Sequence, residues 1–347
     1  MLRLIQFFLL GLVLLTGLNA LSWAIDDRSE VVEMERALRQ TGGREAVTLG
    51  GSIGQGVHYP GMCLDGADFF WNGQDLFEAA ALAELILEQP RPPRYWIIVA
   101  APSAQSYDNG GVASPRAGRR REIHRLMFRQ GHYGMIGGDW RQLIVTAVTP
   151  ALGYDAWGER FHQLLARTGV VPERPARVGQ RANMEVTLDP LTAADKAEAF
   201  TGTQAENLAR TAYYDPTVAR RSTRAMLALN RHIQDAGGVM ILVTPPMTLP
   251  VRQSTLRALP DQVVEFEAMQ AQLIHEGAVV SNHWDDAAYG EAWSLYTDNQ
   301  HLNGAGADQF SVHLAQALRA KGVLPNSTCR EGDARRPGVT TSPAEAN

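Results

Sequence analysis

Hydrophobic positions fall into three kinds of run along this chain, and each kind predicts a different element. The first is the uncharged stretch of residues 4–24, preceded by Arg3 and followed by Asp26-Asp27. About 20 apolar residues suffice to cross a hydrocarbon core. A basic residue before the stretch and an acidic pair after it orient the rest of the chain away from the cytoplasm. The second kind is the short, nearly continuous apolar run of a strand covered on both faces. Residues 45–49, 67–71, 94–101, 239–244 and 278–281 read this way. The third recurs at helical spacing. In residues 74–88, Leu76, Ala80, Ala83 and Leu87 share a face and Pro90 stops the pattern; 217–236, 261–276 and 304–320 behave alike. Residues 29–40 form a short amphipathic stem closed by Gly42-Gly43.

Strands alternating with helices predict an α/β fold, a parallel sheet of about five strands between two helical layers. The expected division is an anchor or signal segment at 1–25, an α/β domain at 26–324, and a tail at 325–347 without fixed structure. Residues 103–216 exceed any simple crossover and are expected as an insertion capping the carboxyl edge of the sheet. The N-terminal segment is either an uncleaved membrane anchor or a removed signal peptide ending at the small-x-small site Ser22-Trp23-Ala24. Both readings export the remainder. In an oxidising compartment the two cysteines, Cys63 and Cys329, are able to pair.

Composition narrows the function by exclusion. With 347 residues, 45% hydrophobic, and a formal net charge of -5, the chain lacks the basic balance of a nucleic-acid binder. The basic run at 116–129, with Arg119-Arg120-Arg121, reads first as a solvated face and second as a polyanion or anionic-lipid contact. No His, Cys, Asp or Glu group has metal-ligand spacing, and no glycine-rich nucleotide fingerprint appears, so neither a metal nor a cofactor is expected. His58, His132 and His283 are read as polar loop histidines, with a pocket role as the lesser alternative.

Two distant segments carry the chemistry. Ser52 lies in Leu49-Gly50-Gly51-Ser52-Ile53-Gly54, just past the first predicted strand. Asp298 and His301 lie in Tyr296-Thr297-Asp298-Asn299-Gln300-His301-Leu302-Asn303, just before the last helix. An alcohol, an imidazole and a carboxylate are the parts of an acyl-transfer triad. If 298–301 makes a helical turn, positions i and i+3 share a face. Ligands of an open parallel sheet bind beyond the carboxyl ends of its strands, where both segments belong. The glycines leave backbone N–H groups facing a substrate oxyanion, and a helix N-terminus following Ser52 would strengthen them.

These motifs resemble the SGNH (GDSL-type) esterase and acyltransferase superfamily over roughly residues 46–318. The resemblance implies a flavodoxin-like sheet, a nucleophile at Ser52, Asp298 and His301 as its partners, and an oxyanion glycine at Gly73. Two departures stand out: Gly51 replaces the usual Asp before the serine, and Ala101-Pro102-Ser103 replaces the expected Gly-x-Asn donor. Ser52 and Gly73 therefore supply the oxyanion N–H groups, with Asn72 as a candidate substitute donor. With its N-terminal segment the chain looks most like the exported, membrane-tethered branch that includes DltD-like teichoic-acid D-alanylation proteins and alginate O-acetylation proteins. That likeness implies a serine esterase or O-acyltransferase in the periplasm or at the cell surface. Its substrate would be an acyl ester or envelope polysaccharide, its partner a membrane-bound O-acyltransferase. The rival expectation is a non-catalytic protein on the same fold that binds polysaccharide or scaffolds an acyltransferase.

Overall fold

The computed structural model describes residues 2–25, 30–110, 117–132, 165–166, 168–171, 178–181, 184–210 and 217–326. Its main elements run α1 (Leu2–Ile25), α2 (Glu30–Thr41), β1 (Ala46–Gly50), a 3-10 turn over Ser52–Gly56, α3 (Tyr59–Met62), β2 (Gly66–Asp68), α4 (Leu76–Leu87) and β3 (Tyr95–Val99). Then come α5 (Ala117–Arg129), α6 (Ala193–Arg210), α7 (Val218–Asp235), β4 (Val239–Thr244), α8 (Leu249–Ala258), α9 (Pro260–His275), β5 (Val279–Asn282), α10 (Ala287–Gly290) and α11 (Gly304–Ala320).

All five strands pair in parallel in the order β2-β1-β3-β4-β5, the flavodoxin-like winding that the motif resemblance implies. Successive side chains on a strand face opposite layers. Val47, Leu49, Trp96, Ile98, Met240 and Leu242 therefore pack into one core with α2, α4, α5, α7 and α9. Ala46, Tyr95, Ile97, Val99, Ile241 and Val243 pack into a second core with α11 and the elements around it. Burial on both faces explains why these strands lack polar alternation.

Several expected boundaries move. The second strand is shorter than residues 67–71, although Phe69, Phe70 and Trp71 are buried and the N–H groups of Phe69 and Trp71 donate to β1 carbonyls. Helix α8, with Pro250 in its first turn, has no counterpart in the sequence reading, because the Pro245-Pro246 pair reads there as a break. Residues 103–216 carry α5 and α6, while much of that interval lies outside the described residues, as does the expected tail beyond 326. Cys63 is disulfide-bonded. The one other cysteine in the chain, Cys329, lies outside the described residues.

Helix α1 spans 24 residues, and its described apolar side chains, Phe7 and Phe8 among them, are exposed. Among the described residues no helix is long and apolar enough to cross a membrane.

Candidate active site

β1 delivers the chain to the site through two glycines with different obligations. Gly50 has φ +121°, and a Cβ there would sit 2.1 Å from the Val99 carbonyl oxygen of the neighbouring strand. Only glycine fits. Gly51 is extended, and a Cβ there would approach nothing nearer than the Gln74 carbonyl at 3.9 Å. A Cβ at position 51 would therefore be accommodated. Ser52 then opens the 3-10 turn, whose first bond runs from Gly54 N–H to the Gly51 carbonyl at 2.9 Å. The N–H groups of Ser52 and Ile53 precede that bond. The element after Ser52 is a five-residue 3-10 turn, so the dipole contribution to an oxyanion is smaller than a helix N-terminus would give.

The triad assembles across 249 residues of sequence. Ser52 Oγ lies 2.7 Å from His301 Nε2. His301 Nδ1 lies 2.8 Å from Asp298 Oδ2 and 2.9 Å from Oδ1. Burial alone would raise the Asp298 carboxyl. The His301 hydrogen bond and charge and the N–H groups of Gln300 and His301 outweigh it, and hold the carboxyl below its ordinary value. An ionised carboxylate only accepts hydrogen bonds, so His301 Nδ1–H is the donor. Nε2 then carries the lone pair, and the Ser52 hydroxyl donates to it.

The loop bearing Asp298 and His301 is not a helical turn. Tyr296 and Leu302 form an antiparallel bridge, and Thr297 N–H donates to the His301 carbonyl at 2.9 Å, closing a small loop. Its tip is held because Asp298 Oδ1 accepts the N–H groups of both Gln300 and His301, at 2.9 Å each. The loop is anchored on every side. Gln55 donates to the Leu302 carbonyl at 3.1 Å, and Asn299 donates to the Ala193 carbonyl at 2.9 Å. Asn303 caps α11 by accepting from Gly306 N–H at 3.0 Å, as its place before the helix suggests.

Gly73 lies on the turn that follows β2, and its neighbour Gln74 reaches β1. Gln74 N–H donates to the Trp71 carbonyl at 3.1 Å with Gly73 at φ +74°, the geometry of a type II turn that requires glycine in third place. The Gln74 side chain links this turn to β1, the strand before Ser52: its oxygen accepts from Gly50 N–H, and its nitrogen donates to the Phe69 carbonyl at 3.1 Å. Asn72 is exposed on the same turn. An asparagine does follow β3, but later than the family pattern places one. Asn109 donates to the Gly73 carbonyl at 2.9 Å and to Glu78 Oε2 at 2.9 Å, so it supports the turn from behind instead of facing a substrate.

Beneath the Gly73 turn lies a buried charge cluster that the sequence reading did not foresee. Asp75 and Glu78 form the capping box of α4, Asp108 and Asn109 follow β3, and Arg120 reaches in from α5 to within 3.0 Å of Asp75. Arg221 pairs with Asp108 from α7. The expectation that the basic run at 116–129 is a solvated or polyanion-binding face is corrected at Arg120 and Arg125, while the side chains of Arg119 and Arg121 lie outside the described ones. Among its described members, Arg120 serves this cluster, Arg125 pairs with Glu122 and Arg129 pairs with Glu35. Desolvated carboxylates demand a cation, and the run supplies it. On the other flank, Arg181 donates to Asp68 Oδ2 at 2.9 Å and to the Gln55 and Val57 carbonyls at 2.7 and 2.6 Å. It ties β2 to the Ser52 turn. Burial raises the Asp68 carboxyl while Arg181 opposes that rise.

The remaining histidines go elsewhere. His58 pairs with Asp308 on α11, and His132 with Glu88 at 2.9 Å. His283 lies past β5 beside Asp286 and His313, where burial and then the His313 charge hold its imidazole below the ordinary value. Gln74, Asn109 and Arg181 escape sequence reasoning because their roles depend on long-range backbone acceptors. The capping-box spacing of Asp75 and Glu78 is the one local signal near this site that was available. No family model matches this chain, and no curated protein matches it either.

Proposed function

We propose that this protein is an exported serine esterase or O-acyltransferase of the SGNH type, working through an acyl-serine intermediate. The observation that carries the reading is the continuous chain Ser52 Oγ, His301 Nε2, His301 Nδ1, Asp298, with both links under 3 Å. His301 takes the Ser52 proton as Oγ bonds to the ester carbonyl carbon, and the electron pair moves onto the carbonyl oxygen. The Ser52 and Gly73 N–H groups are the proposed donors to that oxyanion, each worth about 3–4 kcal/mol in comparable sites. As the tetrahedral carbon collapses, the ester C–O bond breaks and His301 returns the proton to the departing alkoxide. Water or a sugar hydroxyl then repeats the sequence in reverse on the acyl-serine.

The substrate class, acyl groups of envelope or exported polysaccharide, rests on the motif resemblance and on export. The uncharged residues 4–24, as an anchor or a removed signal segment, and the bonded Cys63 both suit an exported chain. A fluorophosphonate probe tests the catalytic reading. Labelling is expected at Ser52 and is lost in His301→Ala. An unlabelled wild-type protein would favour the polysaccharide-binding or scaffolding alternative.

A further inference from the structure

Among the described residues, one group of His, Cys, Asp and Glu side chains brings three ligand atoms within 4.8 Å of one another: His283, Asp286 and His313. We propose that these three residues form a binding site for a divalent transition metal of the zinc class, separate from the Ser52 triad.

The geometry is organised around one carboxylate oxygen. Asp286 caps α10, so its Oδ1 is committed to Ala288 N–H at 3.0 Å. Its Oδ2 faces both rings, 3.8 Å from His283 Nδ1 and 3.7 Å from His313 Nδ1. Those separations exceed a hydrogen bond, which ends near 3.2 Å. They approach the roughly 3.4 Å edge that bonds of about 2.0–2.1 Å give around a tetrahedral ion. Moving each ring about 0.4 Å toward the carboxylate closes those two separations, and the two imidazole ligand atoms lie within 4.8 Å of each other.

Each ligand also has an outer support. His283 Nε2 lies 2.9 Å from the buried Ser281 hydroxyl, and an Nε2–H donated there leaves Nδ1 with the lone pair a metal needs. The His283 ring packs edge-on to Phe310, and the Tyr289 ring stacks parallel to His313 at an interplanar angle of 13°. Three protein ligands of two imidazoles and a carboxylate leave one position open to water. His313 projects from α11, the helix that begins directly after the triad loop, and His283 and Asp286 follow β5. A bound ion would clamp that helix to the sheet edge. Spacing rules miss the site because its third ligand comes 27 residues after Asp286.

The test is titration of the tag-free, full-length, chelator-treated protein with zinc by calorimetry and with cobalt(II) by visible absorption. One equivalent is expected at micromolar metal, with a cobalt d–d band and a raised melting temperature. Binding should weaken at least tenfold in His283→Ala, in Asp286→Asn and in His313→Ala. His313 is 45% exposed, so its variant tests ligation with little risk to the fold, and fluorophosphonate labelling of Ser52 in each variant reports an intact domain. No binding by wild type, or binding that survives His313→Ala and His283→Ala, would overturn the site. Neither outcome touches the triad, whose failure would appear in the labelling alone.

Discussion

Gly50 and Gly51 stand side by side before the nucleophile, yet they answer to different physics. At Gly50 the left-handed backbone and the Val99 carbonyl both exclude a side chain; at Gly51 neither does. Gly50→Ala should therefore cost about 2–4 kcal/mol through overpacking and strain. Gly51→Ala should lie within about 0.5 kcal/mol of wild type, or stabilise slightly by restricting the unfolded chain. Denaturant unfolding of the two variants checks this, and equal losses would contradict the geometry. Asp298 carries a separate expectation. Because it fixes the His301 tautomer, Asp298→Asn should lower ester hydrolysis by roughly 10³–10⁴-fold while leaving the Ser52 position intact.

The start of α4 shows how an element carries a cost that serves its neighbour. Asp75, Glu78 and Asp108 meet the guanidinium groups of Arg120 and Arg221, so three acids face two cations. The odd proton settles on Glu78. Its carboxyl is pushed up to about 8 by burial first and by the Asp75 charge second. The sign of the linkage follows. A group whose proton is held more tightly in the folded state stabilises fully below its ordinary value of 4.5 and loses that contribution as pH rises toward 8. Glu78→Gln keeps the shape without the titration. Its unfolding free energy should thus stay flatter than that of wild type between about pH 5 and 8. An identical slope in both proteins would show that Glu78 is ionised throughout. Asn109 joins this cluster to the Gly73 carbonyl, so the cluster also braces the Gly73 turn.

At the scale of the whole molecule, the sheet and its helices were legible because burial on both faces leaves an unmistakable apolar run. Residues 239–244 and 304–320 match their elements to the residue, and the parallel pairing of the strands followed from alternation. The triad was legible too, since each half sits at a strand or helix boundary. Less legible were features that depend on partners far along the chain. Arg120, within the basic run at 116–129, reads as solvated in sequence but faces the buried acids of α4. Asp298 and His301 face each other through a bridged loop, not a helical turn, because Tyr296 and Leu302 pair across it. The described parts of the 103–216 insertion hold the site's loops from outside: Gly179 N–H donates to the Phe70 carbonyl, Leu188 N–H to the Tyr296 carbonyl, and Arg181 clamps the Ser52 turn. Sequence patterning is blind to such contacts, since a backbone carbonyl has no signature.

The measurement that bears most directly on this account is intact mass and peptide mapping after the full-length protein meets an activated acetyl ester. One acetyl group on Ser52 is predicted, absent in Ser52→Ala and in His301→Ala, and released by water or by an added polysaccharide acceptor. An unmodified Ser52, or acetylation that persists without His301, would contradict the proposal that this imidazole arms this alcohol.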